Sequence, residues 1–514
     1  MVCGRFTEPC CGDDSLTYFD RPSLRCIRGG PGHDTGRAPV LHLMHPMSHR
    51  ADAARRVPAL HSVAGDRLGL AMDPYRVALF LLAVLTFSRI HQHFGFIAAF
   101  RPALLLVVFA TGSAVLNPKS LNASSLLHTW YGRLIVGMGV FACISTPFGI
   151  SLGAAALFII TDYSKTLVFA CLVLVAMRGV RDLYTFAWAY VIATGVLVWM
   201  AIFLFRLSSA GSKTARLGNL YSWDANDLGV VLLVGLGFTL LTFQTSRRFG
   251  RIVSGVVLLG IGVTIARTGS RGALLGLVAA GIALLVMLKS VPLAKRVGFV
   301  AATATALVLF APHGYWEQMK TIVSPTDDYN WSSTDGRKQI ALRGLGYMLS
   351  YPVFGLGINN FGKAECFESE KALNHVYGTG IRCTAPHNSY VQAGAELGIP
   401  GLVLWMLLVF GGIRGMLVLR RRLPAAWSRG TMEERFLSLA PMYLAVSMVG
   451  FAVSSAFVSF AWLDPVYYLT AMMGGVWVVV SKQLPNQPQR PVGRVNSRPV
   501  ARPQTHTLLQ YRNM

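Results

Sequence analysis

Long apolar runs separated by short polar breaks fill most of the chain. Runs such as "DLYTFAWAYVIATGVLVWMAIFLF" from Asp182 and "GALLGLVAAGIALLVML" from Gly272 can cross a hydrocarbon core of about 30 Å as helices. About twelve such spans are predicted, near 75–93, 101–117, 132–150, 163–178, 182–206, 226–244, 251–266, 271–289, 296–312, 400–419, 436–460 and 465–481. The segment "SLGAAALFIITDYSK" from Ser151 reads either as an interfacial helix or as the beginning of a span. The expected fold is an all-α polytopic membrane protein, with one large periplasmic loop between spans 9 and 10.

Composition agrees with a bilayer solvent: 53% of the 514 residues are hydrophobic and only 14% are charged. The net charge of +24 changes the picture through its placement. Basic clusters fall in alternate loops, at "RGVR" from Arg178, "SRRFGR" from Ser246, "KSVPLAKR" from Lys289, "RRR" from Arg420 and in the tail after Lys482. The positive-inside rule makes those loops cytoplasmic, which puts both termini inside and the segment 312–399 outside. Charge of this kind reports topology and membrane lipids, with no nucleic-acid partner.

The expected organisation has five parts. Residues 1–71 form an N-terminal extension, either disordered or upstream of the true start at Met72, and their Cys3, Cys10, Cys11 and Cys26 lack the spacing of a zinc site. Spans 1 to 9 occupy 72–311, the periplasmic loop 312–399, and spans 10 to 12 occupy 400–481. Residues 482–514, rich in Pro, Arg and Gln, form a disordered cytoplasmic tail. The lack of an internal repeat counts against an inverted-repeat transporter.

Charges on the outer side of the spans cost free energy and run against the topology rule, so they are the informative ones. Arg267 and Arg271 sit on a tight outer turn, "RTGSRGALLG"; they read either as snorkelling anchors or as guanidinium forks for phosphate. "RLGNLYSWDANDLG" brings Arg216, Asp224, Asn226 and Asp227 to the start of a span, where an Asp or Asn is also a natural helix cap. Arg337 and Arg343 lie on an amphipathic helix that ends at Pro352, Gly355 and Gly357. "HNSYVQAGAELGIPGL" opens the next span with His387, Asn388 and Glu396. A neutral imidazole suits a general base near pH 7, while the bland alternative is a capping or carbonyl-bonded histidine. Cys366 and Cys383 flank part of the outer loop, where an oxidising compartment favours a disulfide.

Taken in order, "GSRGALLG", the "GR…P.FGLG.NNF" element and "HNSYVQAGAELGIPGL" make the chain from about Met72 to Lys482 resemble the O-antigen ligase and O-antigen polymerase superfamily of bacterial envelope glycosyltransferases. The resemblance implies transfer of a glycan from an undecaprenyl diphosphate carrier to an acceptor hydroxyl, on lipid A-core or a growing polysaccharide, at the periplasmic face of the inner membrane. It implies catalytic roles for His387, Arg271 and Arg337, with no cofactor and no metal. Arg216, Arg267, Arg343, Asn226, Asn388 and Glu396 are the expected substrate-binding residues. The alternatives within the superfamily are a polysaccharide polymerase and a protein O-oligosaccharyltransferase. Outside it, the alternative is a transporter of lipid-linked glycan, which would line both halves of its pathway with charge.

Overall fold

The computed structural model describes residues 68–484, apart from 119–120, 209–214, 219–222, 289–291, 328–330, 332, 334–335 and 374–382. The expected extension, except its last four residues, and the tail beyond Leu484 lie outside the described residues.

Helices make up most of the described chain. Apart from short helical turns, they are α1 Pro74–Ser88, α2 Pro102–Leu116, α3 Trp130–Ser145, α4 Leu152–Ala176, α5 Val180–Phe203, α6 Ala225–Thr245, α7 Arg248–Thr268, α8 Arg271–Met287, α9 Leu293–Phe310, α10 Tyr315–Lys320, α11 Arg337–Ser350, α12 Phe361–Phe367, α13 Ser389–Arg422, α14 Met432–Ser454 and α15 Asp464–Gln483. A two-residue antiparallel pair, β1 Leu207–Ser208 with β2 Arg216–Leu217, is the only sheet among the described residues. Seven helices, α3 to α7, α13 and α14, are long and apolar enough to cross a membrane, and α1, α2 and α8 are shorter apolar helices.

The stretch from Ser151 is the first part of α4 and continues through a π turn at Ile159–Tyr163 into one long helix, the second of its two sequence readings. One segment differs from the sequence reading. Helix α13 begins at Ser389, eleven residues before the expected span. Asn388 caps it by accepting from the backbone N–H groups of Tyr390 and Val391, and Gly398 breaks it at φ 67°. Pro400, which has no N–H to donate, follows that break.

Small residues let the helices approach closely, as expected where lipid supplies no hydrophobic force between them. A Cβ on Gly276 of α8 would lie 2.8 Å from the Gly450 carbonyl of α14. An aromatic cluster knits α1, α5, α6 and α15, with ring centroids 4.4 Å apart for Phe87–Tyr190 and 5.0 Å for Tyr190–Phe238. Outward-facing side chains are apolar: Leu259 is 72% exposed and Ile282 56%. In water that surface would be unstable; in hydrocarbon it is matched.

The two ends of the bundle have different chemistry. At one end, Arg76 of α1 bridges Asp73 at 2.7 Å and Asp182 of α5 at 2.5 Å and donates to the Ala176 carbonyl of α4. Arg248 and Arg251 in the first turn of α7 and Arg420–Arg422 in the last turn of α13 belong to this same end. The other end gathers the C-termini of α1, α5, α7 and α14 with the N-termini of α6, α8, α13 and α15. Arg89 lies 4.7 Å over Trp223 and 3.8 Å from Asp464, Trp223 stacks on Phe460, and Ser389 bonds the Val458 carbonyl.

Candidate active site

His387 sits immediately before α13 in a left-handed backbone conformation, φ 46°, which non-glycine residues adopt sparingly and often at functional positions. Two local contacts hold it there: its N–H donates to Ser459 Oγ at 2.9 Å, and the Asn388 cap fixes the next residue. The imidazole is half-buried. Burial lowers its pKa below the ordinary histidine value, the Arg337 guanidinium pushes it the same way, and the Asp224 carboxylate opposes both. Burial and Arg337 thus favour the neutral ring, the form able to accept a proton.

Arg337 begins α11, so its side chain leaves the first turn of that helix. Asp224 is the N-cap of α6, accepting from the backbone N–H groups of Asn226 at 2.6 Å and Asp227 at 2.8 Å. Its capping role agrees with the sequence reading; its place in the field of His387 was missed. Asn226 donates weakly to Asp224 at 3.4 Å.

A second group surrounds the turn between α7 and α8, which needs Gly269 for its φ of 60°. Arg267 donates to the Phe205 carbonyl at 3.5 Å, and Arg271 donates from Nη1 to Thr321 Oγ1 at 2.6 Å. A Cβ on Gly269 would be 3.6 Å from Arg216 Cβ, which places β2 against this turn. The two groups share neighbours. Gly229 of α6 packs on Ala273 of α8, and a Cβ on Gly272 would meet Phe457 at 2.8 Å, two residues before the Ser459 that holds His387. An apolar cavity of about 420 Å³ lies below, between α6, α7, α8 and α9, lined by Leu258, Gly262, Leu274, Val278 and Leu307 among others.

Three expected substrate-binding residues are engaged by the protein itself. Arg343 grips Glu365 of α12, with Nε 2.9 Å and Nη2 2.6 Å from its two oxygens, and Tyr347 and Thr384 also donate to that carboxylate. Glu396 is 2% exposed and accepts from Trp462 Nε1 at 2.6 Å, Asn359 N at 2.7 Å and Phe361 N at 3.4 Å. Asn388 spends its side-chain oxygen on the α13 cap.

These contacts explain the glycine-rich element. The loop Pro352–Asn360 wraps the first turns of α13, with Leu356 N bonded to the Ala395 carbonyl at 2.9 Å and Ile399 N to the Pro352 carbonyl at 2.8 Å. Gly355 and Gly398 approach so closely that a Cβ on Gly355 would fall 2.5 Å from Gly398 N. Cys366 and Cys383 form a disulfide with a Cα–Cα distance of 4.9 Å, joining α12 to the strand of chain that leads to His387. No group of three or more metal-ligating side chains occurs among the described residues.

Fold and site together define a helical membrane protein with a histidine and several arginines grouped at one end of its bundle. Residues 255–406 match the family model O-antigen ligase. The matched segment contains Arg267, Arg271, Arg337, Arg343, His387 and Glu396, while Arg216, Asp224 and Asn226 precede it. No curated protein matches the chain.

Proposed function

We propose that the protein is a glycosyltransferase moving a glycan from undecaprenyl diphosphate to an acceptor hydroxyl on lipid A-core or polysaccharide. The observation that carries this reading is the grouping of His387, held by Ser459 and in the field of Arg337, at the same end of the bundle as Arg216, Arg267 and Arg271. The apolar cavity under the arginine turn supports it, because a lipid diphosphate needs cations at its head and an oily path for its tail.

In the proposed step, the acceptor oxygen attacks the anomeric carbon and its proton passes to His387. The bond from that carbon to the diphosphate oxygen breaks, and its electron pair leaves with the lipid diphosphate. Attack opposite the leaving group inverts the anomeric configuration. Negative charge grows on the leaving diphosphate, so preorganised guanidinium groups stabilise the transition state more than the ground state. Asp224 stabilises the imidazolium as it forms. Arg343, Glu396 and Asn388 hold the scaffold that aims His387, and the chemistry needs no metal. We place this site on the periplasmic face of the inner membrane, in a chain of twelve spans with 312–399 as its outer loop, because the arginine-rich helix ends lie at the opposite end.

Purified protein in liposomes, supplied with undecaprenyl-diphosphate-linked glycan and lipid A-core, tests the reading. Wild type should form the glycosylated acceptor with inverted configuration, and His387→Ala should not. Passage of the donor across the bilayer without covalent transfer would support the transporter alternative. Glycan chain growth without lipid A-core would select the polymerase.

A further inference from the structure

Three buried polar atoms without a hydrogen-bond partner belong to residues around the α7–α8 turn: Arg267 Nε, the Tyr315 hydroxyl and Gln318 Oε1. Tyr315 is 1% exposed. Gln318 Oε1 would be 3.1 Å from a Cβ on Gly269, close to Arg216. Tyr315 and Gln318 are three apart on α10 and so share a face of that helix. Arg271 pins α10 over the turn through Thr321, which in turn donates to the Gln318 carbonyl at 2.7 Å. Buried groups of this kind are seldom left unpaired in a folded protein, and a functional site is one recognised reason.

The donor and acceptor character of the three atoms selects a ligand. Gln318 Oε1 can only accept, so it requires an O–H or N–H. Arg267 Nε can only donate, so it requires an oxygen. The tyrosine hydroxyl does either. A diphosphate alone has no hydrogen to offer Gln318 near neutral pH, whereas a sugar hydroxyl or acetamido group does. We propose that Tyr315 and Gln318 form a subsite for the first sugar of the donor, the one bonded directly to the diphosphate, with Arg267 at the junction between sugar and phosphate. This inference rests on the glycosyl-transfer reading and assigns its donor selectivity to α10.

The test compares two probes, undecaprenyl diphosphate and undecaprenyl diphosphate carrying one sugar, by direct binding to the full chain in nanodiscs and by inhibition of transfer. Wild type should prefer the sugar-bearing probe by about tenfold, the worth of one or two net hydrogen bonds. Tyr315→Phe and Gln318→Leu should erase that preference while leaving the affinity for undecaprenyl diphosphate and the pH profile of transfer unchanged. Arg271→Ala should weaken both probes. A wild type that transfers glycan without preferring the sugar-bearing probe, or variants that keep the preference, would overturn the subsite. A wild type that shows the preference in binding but transfers nothing would support the subsite and overturn the transfer chemistry.

Discussion

Arg343 separates a scaffold from a substrate contact. Its guanidinium forms a two-point pair with Glu365, a carboxylate of 0% side-chain exposure, while Arg343 itself is 21% exposed. Truncation to Met leaves Glu365 buried with, among the described residues, only the Tyr347 and Thr384 hydroxyls as donors. Breaking one partner of a buried ion pair typically costs about 3–5 kcal/mol, whereas replacing both partners by apolar groups of similar volume is often neutral. At about 1.4 kcal/mol per decade, Arg343→Met should multiply local opening of α12 by roughly 10² to 10³ or more. The double variant Arg343→Met with Glu365→Met should recover most of that loss. Hydrogen exchange over 361–367 and thermal melting in nanodiscs measure the stability, and reconstituted transfer measures the activity. Restored stability with restored transfer is the expected result. A double variant that is stable yet inactive would refute the scaffold role and return Arg343 to the substrate.

Other perturbations follow from the same geometry. Arg271→Ala should lower transfer by about 10² to 10³, or 2.7–4 kcal/mol, the usual cost of removing one preorganised anion-stabilising donor, with the melting temperature nearly unchanged; steady-state kinetics checks it. Reduction, or Cys366→Ser with Cys383→Ser, opens a loop of sequence separation 17 and should cost about 3 kcal/mol in the chain-entropy account, read as protease sensitivity between the two positions. Gly398→Ala meets both a φ of 67° and the Pro352 carbonyl 2.7 Å from the new Cβ, so it should lower the melting temperature and the rate together.

The apolar runs carried the helices plainly, because a hydrocarbon solvent leaves little freedom in length or composition. The first three turns of α13 were hidden. "SYVQAGAEL" holds a carboxylate, and the groups that make its burial tolerable, Asn359 N and Trp462 Nε1, come from distant segments. Glu396 and Arg343 stand out in the sequence as charges at a membrane mouth, and their protein partners, Trp462 Nε1 and Glu365, become visible only in the fold. Asp224 was legible as a cap from its neighbours alone, whereas its action on His387 depends on the N-termini of α6 and α13 lying at the same end of the bundle. Tyr315 and Gln318 carried no signal, since neutral polar residues on a short helix acquire meaning only through what they fail to bond.

The central claim is that His387 accepts the acceptor proton in a field set by Arg337 and Asp224. Activity then needs the neutral ring and falls as pH drops through its lowered pKa. Arg337 lowers that pKa, so Arg337→Gln should move the acid limb of kcat/KM to higher pH. Asp224 raises it, so Asp224→Asn, which keeps the helix cap, should move the limb to lower pH. The pH profile of reconstituted transfer for wild type and these two variants is the most direct measurement. Opposite displacements are predicted, and an acid limb that stays put in both variants would contradict the account.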